Sequence, residues 1–201
     1  MVGDNQYMES RGILTRYAWL SVATAIAVIA LKITAYLLTG SMGFLSDALE
    51  SGANIIAAII TLVALLVAAR PPDKEHAYGH SKAEYLSSGA EGILILLAAL
   101  FIAWQALIRL LDTEPLAQVV LGILVSAVAA TANFVVARIL MKAGREHRSD
   151  ALTADAHHLL TDVWTSIGVI VGVALVSLTG WHWLDPVVAL IVAIQILFSG
   201  Y

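Results

Sequence analysis

The 201-residue chain has no cysteine, which excludes disulfides, thiolate metal sites and cysteine nucleophiles. Charge is scarce as well. Asp, Glu, Lys and Arg make up 13% of the residues, against roughly a quarter in ordinary soluble domains. Eleven basic and 15 acidic residues leave a formal net charge of −4. There is no basic field to hold a phosphate backbone, which argues against nucleic-acid binding. What fills the chain instead is apolar: 60% of its residues are hydrophobic. That composition belongs to a polytopic membrane protein built from helices.

A helix needs roughly 20 apolar residues to cross a bilayer. Six such spans are predicted, at about 14–38, 41–69, 84–111, 116–141, 152–178 and 183–199. The expectation is an all-α fold, with one six-helix transmembrane domain over residues 1–201 and no soluble C-terminal domain in this sequence. The N-terminal MVGDNQYMESRG is too polar for a signal-peptide core. Orientation follows from the basic residues. Arg11, Arg16, Arg70, Lys74, Lys82, Arg138, Lys142, Arg145 and Arg148 all fall on one side, and Arg109 is the lone exception. Both termini are therefore expected in the cytoplasm. Small residues mark places of close helix approach: the Gly168/Gly172 pair and the Ala-rich stretch from Ala127 to Ala132.

Ionisable residues at bilayer depth cost roughly 2.5–3.5 kcal/mol each on insertion scales, so each needs a partner or a task. Lys32 is expected to snorkel toward the outer interface, about 10 Å away. Asp47, Ser51 and Asn54 share one face of span two at i, i+4 and i+7, with Glu50 at its edge. Asp155, His158 and Asp162 share one face of span five at i, i+3 and i+7. The two spans run in opposite directions. At ~1.5 Å per residue, Asp47 and Asp162 both reach the middle of the membrane. Two carboxylates, an imidazole and a hydroxyl or amide suit a tetrahedral site for a borderline divalent ion such as zinc. The rival reading is a satisfied polar network that sets helix register. His157 points about 100° from His158, so the two do not share one ion. Asp155, a turn nearer the cytoplasm, is placed to attract an incoming cation. Glu91 is expected to face a cytoplasmic cavity.

A second constellation lies between spans two and three, in PPDKEHAYGHSKAE. Asp73, His76 and His80 fit a common helical or turn-like face, and Gly79 permits a tight bend. No nucleophile–base pair or phosphate-cradling loop stands out, so no enzyme is expected.

At these residues the sequence resembles the cation diffusion facilitator family of proton-coupled metal exporters. TGSMGFLSDALES, HAYGHSKAE, ADAHHLLTD and WLDPVVALIVA look like that family's second helix, following loop, fifth helix and sixth helix, in order. The resemblance implies an intramembrane metal site at Asp47, Ser51, His158 and Asp162, with Asn54 and Glu50 as substitutes. It also implies a loop site at Asp73, His76 and His80. An aspartate stands in zinc and iron members where this chain has Ser51, so the site carries one negative charge fewer. The implied function is antiport of protons against a divalent transition metal, Zn2+ first, with iron, cobalt, nickel, cadmium and manganese open. His158 would be the proton carrier, since imidazole titrates near neutrality. A homodimer in the lipid bilayer is likewise implied. The alternatives are a non-transporting membrane protein that binds metal as a regulator or scaffold, and a passive cation channel.

Overall fold

In the computed structural model the backbone of residues 2–68, 80 and 82–199 is described, with the side chains of 16–64, 66–68, 80, 82–83 and 85–198. These residues form six helices: α1 (Val2–Thr39), α2 (Met42–Ala68), α3 (Lys82–Leu111), α4 (Val119–Glu146), α5 (Asp150–Thr179) and α6 (Leu184–Ser199). The fold is all-α, as expected. Five helices have a segment long and apolar enough to cross a membrane. α6 is apolar but has 16 residues, or ~24 Å of helix.

The helices overrun the apolar spans where local chemistry lets them. α1 continues back to Val2, well before the first apolar residue of its span. α4 runs on through polar residues to Glu146. α5 starts at Asp150 because Ser149 caps it, its side chain accepting from the Leu152 backbone N–H. Gly180 ends α5 at φ +71°, a left-handed turn that suits glycine.

α4 lies along α5 and α1, while α3 lies along α2 and α6; α2 also touches α1, α5 and α6. Large apolar side chains such as Leu111, Trp164, Leu178 and Phe198 point outward, which would be an aggregation hazard in water and is the expected surface for lipid. Trp181 and Trp183 stack at 5.9 Å in the α5–α6 turn, an arrangement that suits the bilayer interface.

Small residues set the closest approaches. A Cβ on Gly172 would lie 2.6 Å from Val188 Cγ2, so α6 sits against α5 only because that position has no side chain. Gly168 has open space around it and is exposed, so the two glycines do not act as one packing motif. Gly122 does the same for α4 against α1, where a Cβ would meet Thr39 Cγ2 at 2.2 Å. In the Ala-rich stretch, Ala129 and Ala130 are buried.

The start of α2 is held by α6. Ser41 accepts from the Phe44 N–H at 3.3 Å, the capping geometry for the third helical amide. The Asp185 carboxylate accepts from the Met42 N–H at 2.7 Å, from the Gly43 N–H at 3.2 Å and from the Ser41 hydroxyl. The first three amides of α2, which no intrahelical bond serves, are therefore all satisfied.

Candidate cation site

Four helices contribute side chains to the polar interior of the bundle. α2 supplies Asp47, Glu50 and Ser51, all buried, and Asn54, half-buried. α5 supplies Asp162 and Ser166, both buried, with Asp155, half-buried, and His158, exposed, at its edge. α1 adds Lys32 and α4 adds Asn133.

Ser51, Asn54, Asp155, His158 and Asp162 all line one cavity of about 420 Å³. The two helical faces read from the spacing thus open onto the same space. The rest of the lining comes mostly from the first half of the apolar, bilayer-length part of α1, Arg16–Thr39, and from the second half of α2. The cavity therefore lies toward the end of the bundle where α1 begins and α4 passes to α5. With ~30 Å³ per water molecule, it has room for a cation and several waters. Among the described residues, no three His, Cys, Asp or Glu side chains lie close enough together to hold a metal ion.

Asp47 does not face this space directly. Its carboxylate is paired with Lys32, Nζ to Oδ1 at 2.7 Å, and both side chains are 1% exposed. Lys32 donates a second hydrogen bond to Ser51 Oγ at 2.8 Å. Ser166 donates its hydroxyl to the same carboxylate, at 3.1 Å from Oδ1 and 2.9 Å from Oδ2. The expectation that Lys32 snorkels to the outer interface is overturned: its stem turns inward, to an acid 15 residues further along. A buried ammonium gains more from a charge-assisted bond than from a long reach past apolar neighbours.

Glu50 is buried beside this pair, and its Oε2 has no hydrogen-bond partner among the described residues. Glu91 is not among the cavity's lining; it accepts a hydrogen bond from the Thr61 hydroxyl and so ties α3 to α2. His157 is exposed on another side of α5. Of the loop constellation, Asp73 and His76 lie outside the described residues. His80 is half-buried, and its carbonyl accepts from the Ala83 N–H at the start of α3.

Two contributors went unnoticed in the sequence. Ser166 stands four residues after Asp162, on the same helical face, a signal that was available. Asn133 is 1% exposed and lines the cavity from α4, and neither its Oδ1 nor its Nδ2 has a hydrogen-bond partner among the described residues. Its signal was a lone amide in an apolar span, the kind of group that needs a partner.

Known proteins are similar to this chain in sequence. An uncharacterized transporter of the cyanobacterium Synechocystis is 53% identical over 184 residues, covering 92% of this chain and 59% of its own. The cation-efflux pump FieF of Shewanella oneidensis is 33% identical over 176 residues, covering 88% of this chain and 59% of its own. FieF of Klebsiella pneumoniae is 32% identical over 188 residues, covering 94% and 62%. The chain thus spans about three fifths of the length of these relatives. The family model described as the cation efflux transmembrane domain matches residues 18–201, a stretch that holds the cavity and every side chain around it, and the chain belongs to the cation efflux family.

Proposed function

We propose that this chain is the membrane part of an exporter that carries divalent metal cations out of the cytoplasm in exchange for protons. The observation that carries the reading is the shared cavity: polar faces of α2 and α5, on antiparallel helices, open onto one space that also receives Asn133 of α4. The relatives named for efflux point the same way. The reading makes the protein a transporter and not an enzyme.

The cation is held among His158, Asp162, Ser51 and Asp47, with Asn54, Glu50 and Asn133 supplying further oxygen. Imidazole and carboxylate ligands favour zinc among the divalent transition metals; iron, cobalt, nickel, cadmium and manganese are the competitors to test beside it. Asp155, nearer the mouth, draws the cation in by its charge. Ligation needs neutral imidazole and ionised carboxylates, so protons arriving from the far side compete with the metal for one set of atoms. His158 is the proton carrier because imidazole changes charge near neutral pH. The bias of basic residues to one side supports both termini in the cytoplasm of a bacterial inner-membrane protein, with the cavity then on the cytoplasmic side. The loop residues Asp73, His76 and His80 form an auxiliary site, and the working unit is a homodimer.

Zinc flux into proteoliposomes, with and without an imposed pH gradient, tests this. Saturable, gradient-driven flux is expected from the chain, and Asp162→Ala should remove it. His158→Ala should keep the fold and lose the dependence on the gradient. Full proton-coupled transport by that variant would remove His158 from the role. Flux that neither saturates nor responds to pH would mean a channel. Zinc binding without flux would mean a regulator or scaffold.

A further inference from the structure

Lys32 is the one cation among the buried ionisable side chains of this bundle that are described, and it lies against Asp47, the first acid of α2. We infer that the Lys32 ammonium is a built-in competitor of the transported cation: it holds Asp47 and Ser51 by the bonds a metal ion would otherwise take, and it must leave them for the ion to bind with all its ligands. The inference rests on the divalent-cation reading above.

Three observations support it. Nζ is 2.7 Å from Asp47 Oδ1 and 2.8 Å from Ser51 Oγ, so one positive charge bridges two oxygens of α2. Ser51 also lines the cavity together with His158 and Asp162. The ammonium is therefore bonded to a wall of the space in which the cation is read to sit. A divalent ion brought to that wall meets a like charge in surroundings of low dielectric, where repulsion is strong. Finally, Lys32 belongs to α1, whereas the oxygens it holds belong to α2 and the other acid, Asp162, to α5. Its long flexible stem lets it withdraw without moving either ligand-bearing helix.

The physical consequence is a penalty on affinity. A ligand that binds only a fraction of the population has its intrinsic dissociation constant divided by that fraction, and so raised. An internal ammonium seated on two of the oxygens imposes such a fraction. It also offers a partner for Asp47 once the metal has gone, so the carboxylate is not left as a bare buried charge. Lys32 in this way sets how tightly the ion is held and how readily it is let go. It is a specificity-determining residue, not a ligand.

The test is zinc binding to the purified chain in lipid nanodiscs by calorimetry, comparing the unmodified protein with Lys32→Met and with Asp162→Asn. Lys32→Met should bind zinc roughly 10- to 100-fold more tightly, and Asp162→Asn should bind far more weakly. A purely structural lysine would give the opposite result, a loss of affinity along with the loss of packing. A folded Lys32→Met protein with unchanged or weaker affinity overturns the inference. If that variant fails to fold, the unmodified chain answers instead, through amine-reactive labelling mapped by mass spectrometry with and without zinc. Labelling of Lys32 that rises with zinc supports displacement, and labelling that stays constant overturns it. Zinc binding that is unaffected by Asp162→Asn in every background rejects the cation-site reading itself. In that case the role given to Lys32 falls with it.

Discussion

Asp47→Ala is expected to destabilise the bundle by about 3–5 kcal/mol, because it strands the Lys32 ammonium at a buried position without its counter-charge. The side chains of the pair are 1% exposed, and Ser51 Oγ, the other acceptor of the ammonium, is neutral and cannot replace a carboxylate. Ser166 would lose its acceptor as well. A thermal melt in detergent reads the loss. The double variant Lys32→Met/Asp47→Leu separates charge from packing. Replacing both members of a buried pair with apolar groups of similar size is often neutral, so the double variant should recover most of the stability. It should not recover zinc transport if Asp47 is the ligand proposed above. A double variant as unstable as Asp47→Ala would show that shape, not charge, makes Asp47 important to the fold.

The second large effect is expected at Asp185. Its carboxylate closes the amino end of α2 through the Met42 and Gly43 amides and the Ser41 hydroxyl. Asp185→Ala leaves the buried Gly43 amide and the half-buried Met42 amide without this partner, and removes a negative charge from the positive end of the helix dipole. Hydrogen bonds to a charged group contribute about 1.5–3 kcal/mol each, less when shared. A loss of about 2–4 kcal/mol is expected in the same melt. Asp185→Asn keeps an acceptor oxygen and should retain roughly half of it. Zinc flux should fall in proportion as the α2 end comes free of α6. An alanine variant that melts and transports like the unmodified chain would reduce this contact to a bystander.

These contacts differ in how far they could be read from residues alone. The helices were legible because apolar runs of bilayer length have no other stable form. The ends of α2, α3, α5 and α6 fall within two residues of the apolar runs, whereas the overrun of α1 back to Val2 has no apolar signal at all. The faces on α2 and α5 followed from helical spacing, since Asp47, Ser51 and Asn54, or Asp155, His158 and Asp162, line up at 100° per residue. Lys32 misled for a physical reason. A lysine's stem is long enough to reach either the interface or a neighbouring helix, and sequence position does not say which face of α1 meets α2. Asn133 and Asp185 depend on contacts between segments distant in sequence: α4 against the cavity, and α6 against α2, 143 residues apart in the Met42–Asp185 bond. One-dimensional periodicity carries no record of either.

The pairing of Lys32 with Asp47 also bears on how the chain is made. A lysine in the middle of an apolar span is costly to release alone into lipid, by roughly 2.5–3.5 kcal/mol on insertion scales. So is a span that carries Asp47 and Glu50. The two helices are joined by Gly40 and Ser41 alone, and the bond that cancels Lys32 against Asp47 crosses that short turn. During synthesis, α1 therefore leaves the translocon at least expense when α2 has already emerged, the pair passing into the bilayer as one helical hairpin with its charges matched.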